Sequence, residues 1–168
     1  MKNCAKRALP NWRLPPRADM PTHAEVKTLP YTPRQMFDLV ADIDKYPEFL
    51  PWCLSATVWE RQGDTLTADL VIGLGPVREK FTSRVTLERA KKSEEGGYIR
   101  VEYLKGPMKH LSNHWRFLPS NPDSCVVDFF VDFEFRNPIL RQLIGVFFNE
   151  AVRRMVSAFE ARAKQLYG

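Results

Sequence analysis

The sequence predicts an α+β domain in which a curved antiparallel sheet of about seven strands grips one long C-terminal helix, with two short helices after the first strand. Three observations carry this. From Leu140 to Leu166, apolar residues recur at three- and four-residue spacing (Leu143, Ile144, Phe147, Phe148, Ala151, Met155, Phe159, Ala163) with Arg, Lys, Gln and Glu between them. That is the period of an amphipathic helix, here roughly 45 Å long at 1.5 Å per residue. Between Trp52 and Phe135 the apolar period falls to two, the signature of half-buried strands. The breaks between those runs are short: Gln62-Gly63-Asp64, Gly75-Pro76, Glu94-Glu95-Gly96-Gly97, Gly106-Pro107 and Pro119 to Asp123. Such turns favour antiparallel neighbours, because parallel strands need long crossovers.

Taken in order, His23 to Leu29 alternates weakly and reads as a first strand. Thr32-Pro33 starts a helix through Phe37 and Ala41, with Pro at the first helical position. Asp42 to Pro51 is a second short helix or turn, fenced by Pro47 and Pro51. Strands are expected at Leu54–Arg61, Leu66–Leu74, Val77–Leu87, Tyr98–Leu104, Leu111–Leu118 and Val126–Phe135. Asn137-Pro138 then caps the long helix. Parity separates the two faces of the sheet. Phe81, Ser83, Val85, Val101, Tyr103, Leu111, Asn113, Trp115, Phe117, Val127, Phe129, Val131 and Phe133 share the covered side. Lys80, Arg84, Arg100, Glu102, His114, Arg116, Asp128, Asp132 and Glu134 share the wet one.

At 168 residues, 44% hydrophobic and 27% charged, the chain has the size and composition of one soluble globular domain. The net charge of +5 is concentrated: residues 1–19 hold five basic residues against Asp19, so +4 belongs there and only +1 to the rest. A domain with that balance does not recruit DNA by charge. Residues 1–19 carry Pro10, Pro15 and Pro16 and no apolar period, and read as a basic, unstructured extension before a domain at 20–168. Cys4, Cys53 and Cys125 lie far apart and outside any metal-ligand spacing, which suits a reducing, cytoplasmic setting.

Catalytic and metal constellations are not legible. His110 and His114 share a strand face about 13 Å apart at 3.3 Å per residue, too far to chelate one metal, and His23 is remote in sequence. Gly73-Leu74-Gly75-Pro76 is a turn and no phosphate loop. The carboxylates of the final strand fall on the wet face, so no acid–base pair stands out.

The element order resembles the helix-grip fold of the START-like superfamily. The block YTPRQMFDLVADIDKYPEFLPWC (Tyr31–Cys53), the segment LKGPMKHLSNHWRF (Leu104–Phe117) and the ending FFNEAVRRMVSAFEARAKQLYG resemble the coenzyme Q-binding, RatA-type family within it, over Pro21 to Gly168. The resemblance implies a non-enzymatic protein that binds ubiquinone or a similar polyprenyl lipid as ligand, with no catalytic cofactor, and supports respiration. Bacterial relatives described as toxins imply, as the alternative, a protein that binds the large ribosomal subunit and blocks subunit joining. An isoprenoid quinone, a transient contact with the inner membrane surface and the large ribosomal subunit are thus the expected partners. The solvated Arg141, Arg153, Arg154, Arg162 and Lys164 are the candidate ribosome face.

A curved sheet and a straight helix leave a wedge-shaped gap, and apolar gaps of roughly 300–1,000 Å³ hold small molecules. The expected wall comprises Trp52, Phe81, Val101, Tyr103, Lys105, Asn113, Trp115, Phe117, Phe129, Val131, Phe133, Phe147, Ala151 and Met155. The aromatics among these serve equally well as packed core. Asn113 has inward parity, so its amide bonds either a ligand carbonyl or a neighbouring backbone group. Lys105 either donates to the same ligand oxygen or snorkels from the rim. Gly145 marks either a close approach of ligand or Trp52 to the helix or a tight packing contact, and Tyr46 to Trp52 is either a lid or a plug.

Overall fold

A computed structural model describes residues 22–74, 76–92 and 96–168. The 1–19 extension, Cys4, Gly75 and Glu94-Glu95 lie outside the described residues. The elements follow the expected order: β1 (Thr22–Leu29), α1 (Pro33–Ala41), a 3-10 segment (Ile43–Glu48), β2 (Cys53–Gln62), β3 (Thr65–Leu74), β4 (Val77–Arg89), β5 (Gly97–Lys105), β6 (Met108–Asn121), β7 (Ser124–Phe135) and α2 (Pro138–Tyr167).

Both helix starts are set locally. The Gln35 amide donates to Thr32 Oγ1 at 3.2 Å while the Thr32 amide donates to Gln35 Oε1 at 2.8 Å, a reciprocal capping box with Pro33 behind it. Asn137 Oδ1 accepts from the Ile139 amide at 2.9 Å and starts α2. The strands form one antiparallel sheet in the order β1-β7-β6-β5-β4-β3-β2. β2 to β7 are a meander of hairpins, and β1 returns past α1 to pair with β7. One inward row runs Leu66, Val85, Val101, Asn113 and Val131 from β3 to β7, so alternation within each strand and register between strands agree. Gly106 turns β5 into β6 at φ +142°, where a Cβ would sit 2.7 Å from Phe81 Cβ and 2.9 Å from the Lys80 carbonyl oxygen; only glycine fits.

The core lies between the concave sheet face and α2, with α1 closing one end through Met36, Phe37 and Val40, each no more than 2% exposed. Phe159 ties the layers together: its ring meets Tyr46 at 5.4 Å, Phe49 at 5.2 Å and Trp115 at 5.1 Å. Lys27 of β1 pairs with Glu160 of α2, and Arg162 pairs with Glu48 at 2.6 Å across to the 3-10 segment.

Four expectations are corrected. β6 extends past Leu118 through Pro119, because the β6–β7 hairpin accommodates the proline beside a register shift at Pro119/Asn121 near its turn. The outer face of β6 and β7 is not uniformly wet: His114 and Asp128 are buried, with His114 stacked on Phe130 at 4.9 Å and Arg116 lying 3.7 Å from Asp128. Central strands surrounded by long outward side chains are shielded even without a second layer. The apolar face of α2 is wider than the sheet can cover, so Leu143, Phe147 and Leu166 are exposed together with Ile139 and Val146. Finally, a Cβ on Gly145 would meet nothing within 4 Å, so neither Trp52 nor a packing neighbour approaches the helix there.

Candidate functional site: an apolar cavity under the long helix

The concave sheet and α2 part between the 3-10 segment and the start of α2, leaving a cavity of about 270 Å³. That is close to the lower bound of ordinary small-molecule sites. Ten of the expected wall residues line it: Trp52, Phe81, Val101, Asn113, Trp115, Val131, Phe133, Phe147, Ala151 and Met155. β4 to β7 supply the floor through Phe81, Val101, Asn113, Val131 and Phe133, α2 supplies the roof through Phe147, Ala151 and Met155, and Trp52 closes the side. The strand alternation that puts Lys80 and Arg84 outside puts Phe81 and Val85 inside.

Four expected wall residues lie elsewhere. Lys105 is exposed: a register shift between Thr82 and Ser83 pairs it with the outward Thr82, so the bulge turns its side chain to the convex face. Tyr103 packs at the edge of the core near the β5–β6 turn, its hydroxyl accepting from the Met108 amide at 3.1 Å. Phe117 is fully buried edge-on to Phe37 at 5.8 Å, beneath α1. Phe129 stands 4.2 Å from Trp115 in the packed core. Strand parity assigns these last two to the covered face correctly, but parity has no information about where along that face the cavity ends.

The wall includes residues that sequence reasoning missed. Leu70 and Ile72 of β3 alternate with Asp69 and Val71 and were accessible to the same parity argument. Tyr46, Leu50 and Pro51 show that the Tyr46–Trp52 segment does close one side of the cavity. Ser83, Cys53 and the α2 residues Ile144, Phe148, Val152 and Phe159 line it as well.

No charged side chain lines the cavity among the described residues. Its polar groups are mostly engaged. The Tyr46 hydroxyl donates to the Val40 carbonyl at 2.5 Å, and burial pushes its ionisation well above the ordinary phenol range. The Cys53 thiol donates weakly to the Ser55 carbonyl at 3.5 Å and is pushed up to about 11 by burial, so it stays neutral at pH 7. Asn113 Nδ2 donates to the Phe130 carbonyl at 2.9 Å, the backbone alternative of the two open from the sequence. The histidines sit apart from the cavity: His23 lies 3.1 Å from Glu25, His110 lies 3.1 Å from Asp132, and His114 stacks on the outer face. No cluster of three or more His, Cys, Asp or Glu fit for a metal occurs among the described residues. The arrangement can solvate an apolar molecule with little polar character; it offers no nucleophile–base pair. A second, larger depression of about 570 Å³ beside Arg34, Asp38, Arg89 and Lys91 is polar, and its carboxylate is already held by Arg89.

A family model described as polyketide cyclase / dehydrase and lipid transport matches residues 29–160. The chain is 35% identical over 150 residues to the ribosome association toxin RatA of Pseudomonas aeruginosa, covering 89% of this chain and 100% of that protein. It is also 35% identical over 150 residues to the mitochondrial coenzyme Q-binding protein COQ10 homolog B of Xenopus laevis, covering 87% of this chain and 59% of that one. Among solved structures, the 18 kDa protein CC1736 of Caulobacter crescentus is 38% identical with a TM-score of 0.68, over 89% of this chain and 99% of that one. The Zhui aromatase/cyclase of Streptomyces superposes with a TM-score of 0.73 at 16% identity, over 87% and 94%, which establishes the shared fold alone.

Proposed function

The chain belongs to the polyketide cyclase / dehydrase and lipid transport family, in its START-like RatA and COQ10 branch, and on that premise we propose that it binds an isoprenoid quinone such as ubiquinone without transforming it. The observation that carries this is the cavity: about 270 Å³, walled mostly by aliphatic and aromatic side chains, with no charged group on its lining among the described residues. Such a wall removes apolar surface from water at about 25 cal/mol per Å². The volume suits a quinone ring and the first isoprene units, and a longer tail has to leave by the mouth. The protein would carry or shield the quinone for the respiratory chain. The test is lipid extraction and mass spectrometry on protein purified from cells that make quinone. Isoprenoid quinone should be recovered in stoichiometric proportion; its absence, with the protein folded, defeats the reading.

The mouth bears on how such a lipid is reached. Phe147 lines the cavity and is 57% exposed, and on α2 it adjoins Leu143 (42%), Val146 (75%) and Ile139 (74%). An apolar stripe continuous with a lipid cavity, followed nearly two turns on by the exposed Arg153, fits the surface of an anionic bilayer. No helix among the described residues is long and apolar enough to cross a membrane, so contact would be peripheral. Ile139→Asp with Val146→Asp should abolish co-sedimentation with phosphatidylglycerol vesicles while leaving the melting temperature unchanged, because both side chains are solvated. Unaltered vesicle binding, or a dimer that these changes dissociate, would overturn the bilayer assignment.

The second reading, association with the large ribosomal subunit, is favoured by relatives named for that activity. Its candidate basic face is largely occupied: Arg154 pairs with Glu150 at 2.7 Å, Arg162 with Glu48 at 2.6 Å, and Arg141 reaches Glu134 at 3.5 Å. Arg153 and Lys164 remain solvated on that helix. Recovery of no isoprenoid together with ribosome co-sedimentation would select this reading.

A further inference from the structure

Building on the quinone-binding reading, we infer that Ser83 is the polar anchor of the cavity, its hydroxyl donating a hydrogen bond to a ring carbonyl oxygen of a quinone that enters head first. Ser83 stands in the middle of β4 with its side chain on the cavity wall, between Phe81 and Val85 along the strand. It is 1% exposed, and its Oγ has no hydrogen-bond partner. The other hydroxyl, thiol and amide groups on the wall each have one, Tyr46 with Val40, Cys53 with Ser55 and Asn113 with Phe130. A buried hydroxyl with no partner is destabilising, and a native fold keeps one where something else satisfies it.

The neighbours make room for that partner. Across the β3–β4 ladder Ser83 faces Ala68, which carries only a methyl group and is fully buried. Two small inward side chains thus sit side by side, with Tyr103 opposite Ser83 on the β5 side and larger residues such as Phe81, Val85, Val101 and Trp115 on the wall around them. A ring oxygen has room above such a pair, where a Leu or Phe side chain would fill the space. The exposures set the direction: Ser83 is at 1% and Phe147, also on the wall, is at 57%. Oxygen at the closed end and isoprene units trailing past Phe147 satisfy the unpartnered Ser83 hydroxyl and leave the apolar tail on apolar wall. The ligand class is therefore an isoprenoid with an oxygen on its head, and a purely hydrocarbon lipid leaves Ser83 unsatisfied.

The experiment compares the unmodified protein, Ser83→Ala and Ser83→Thr, with ubiquinone of two isoprene units and with farnesene, an isoprenoid hydrocarbon. Ser83→Ala should weaken ubiquinone binding about tenfold, equivalent to about 1.4 kcal/mol, and leave farnesene binding unchanged. Ser83→Thr, which keeps the hydroxyl, should restore the affinity. In infrared spectra the bound quinone's carbonyl stretch should move to higher frequency in Ser83→Ala, as a lost hydrogen bond demands. The melting temperature of the lipid-free Ser83→Ala protein should be equal or higher. Equal loss for both probes, no loss for ubiquinone, or a sharp fall in lipid-free stability each overturns the assignment. If the unmodified protein binds neither probe, the lipid reading itself falls and Ser83 with it; if it binds ubiquinone and Ser83→Ala does too, only Ser83 falls.

Discussion

Replacing Phe159 with alanine will lower the melting temperature by about 10 °C, at roughly 2–4 °C per kcal/mol for a domain this size. Its ring is 3% exposed and stands in edge contact with Tyr46, Phe49 and Trp115, so it joins α2 to the 3-10 segment and to β6 at once. Truncating a buried Phe to Ala costs about 3–5 kcal/mol, from lost transfer energy and from the hole left behind. Here the hole opens into an existing cavity, so the neighbours have little reason to collapse into it. Leu166→Ala on the same helix, half exposed at 51%, should cost far less. Differential scanning calorimetry on the two variants separates them; equal melting temperatures would show that Phe159 does not join the layers.

The second large effect is on the ligand. Val131→Trp places an indole on the cavity floor from the middle of β7, where Val131 is opposite Asn113. In a close-packed core such an insertion costs about 1–3 kcal/mol. In a cavity of about 270 Å³ the ring has empty space to enter, so the melting temperature should fall by less than about 3 °C. Lipid recovered with the purified variant should drop to background. A folded variant that keeps its full lipid complement would remove Val131 from the wall, and a fall beyond about 5 °C would mean that the floor is packed solid.

Several readings made on residues alone stand because their signals are local. Thr32-Pro33 and Asn137-Pro138 start helices in the structure through bonds that span no more than three residues. Phe81, Val101, Asn113 and Val131 face inward because successive strand residues alternate by geometry, whatever the strand pairs with. The observed fold is the helix-grip expected from the element order and the resemblance, and the family is the one expected from the Tyr31–Cys53 block and its companions.

Other features needed the other strands in place. Lys105 carries an inward parity in its own sequence, and only the bulge opposite Thr82 and Ser83 turns it out. His114 and Asp128 read as wet because they share a strand parity with Arg116, Asp132 and Glu134, yet Phe130 and Arg116 lie beside them from the adjoining strand. Gly145 looked like a point of close approach, but α2 turns it to solvent. What the sequence by itself determined is which residues belong to which face of which element, since periods of 2 and 3.6 are properties of a single segment. Only the tertiary structure decided that Trp115 meets open space while Phe117, two residues on and on the same face, is closed under α1, and that Ser83 faces that space without a partner. Where a cavity begins and ends depends on how far a curved sheet stands from a straight helix at each point, and that distance is set by contacts between residues remote in the chain.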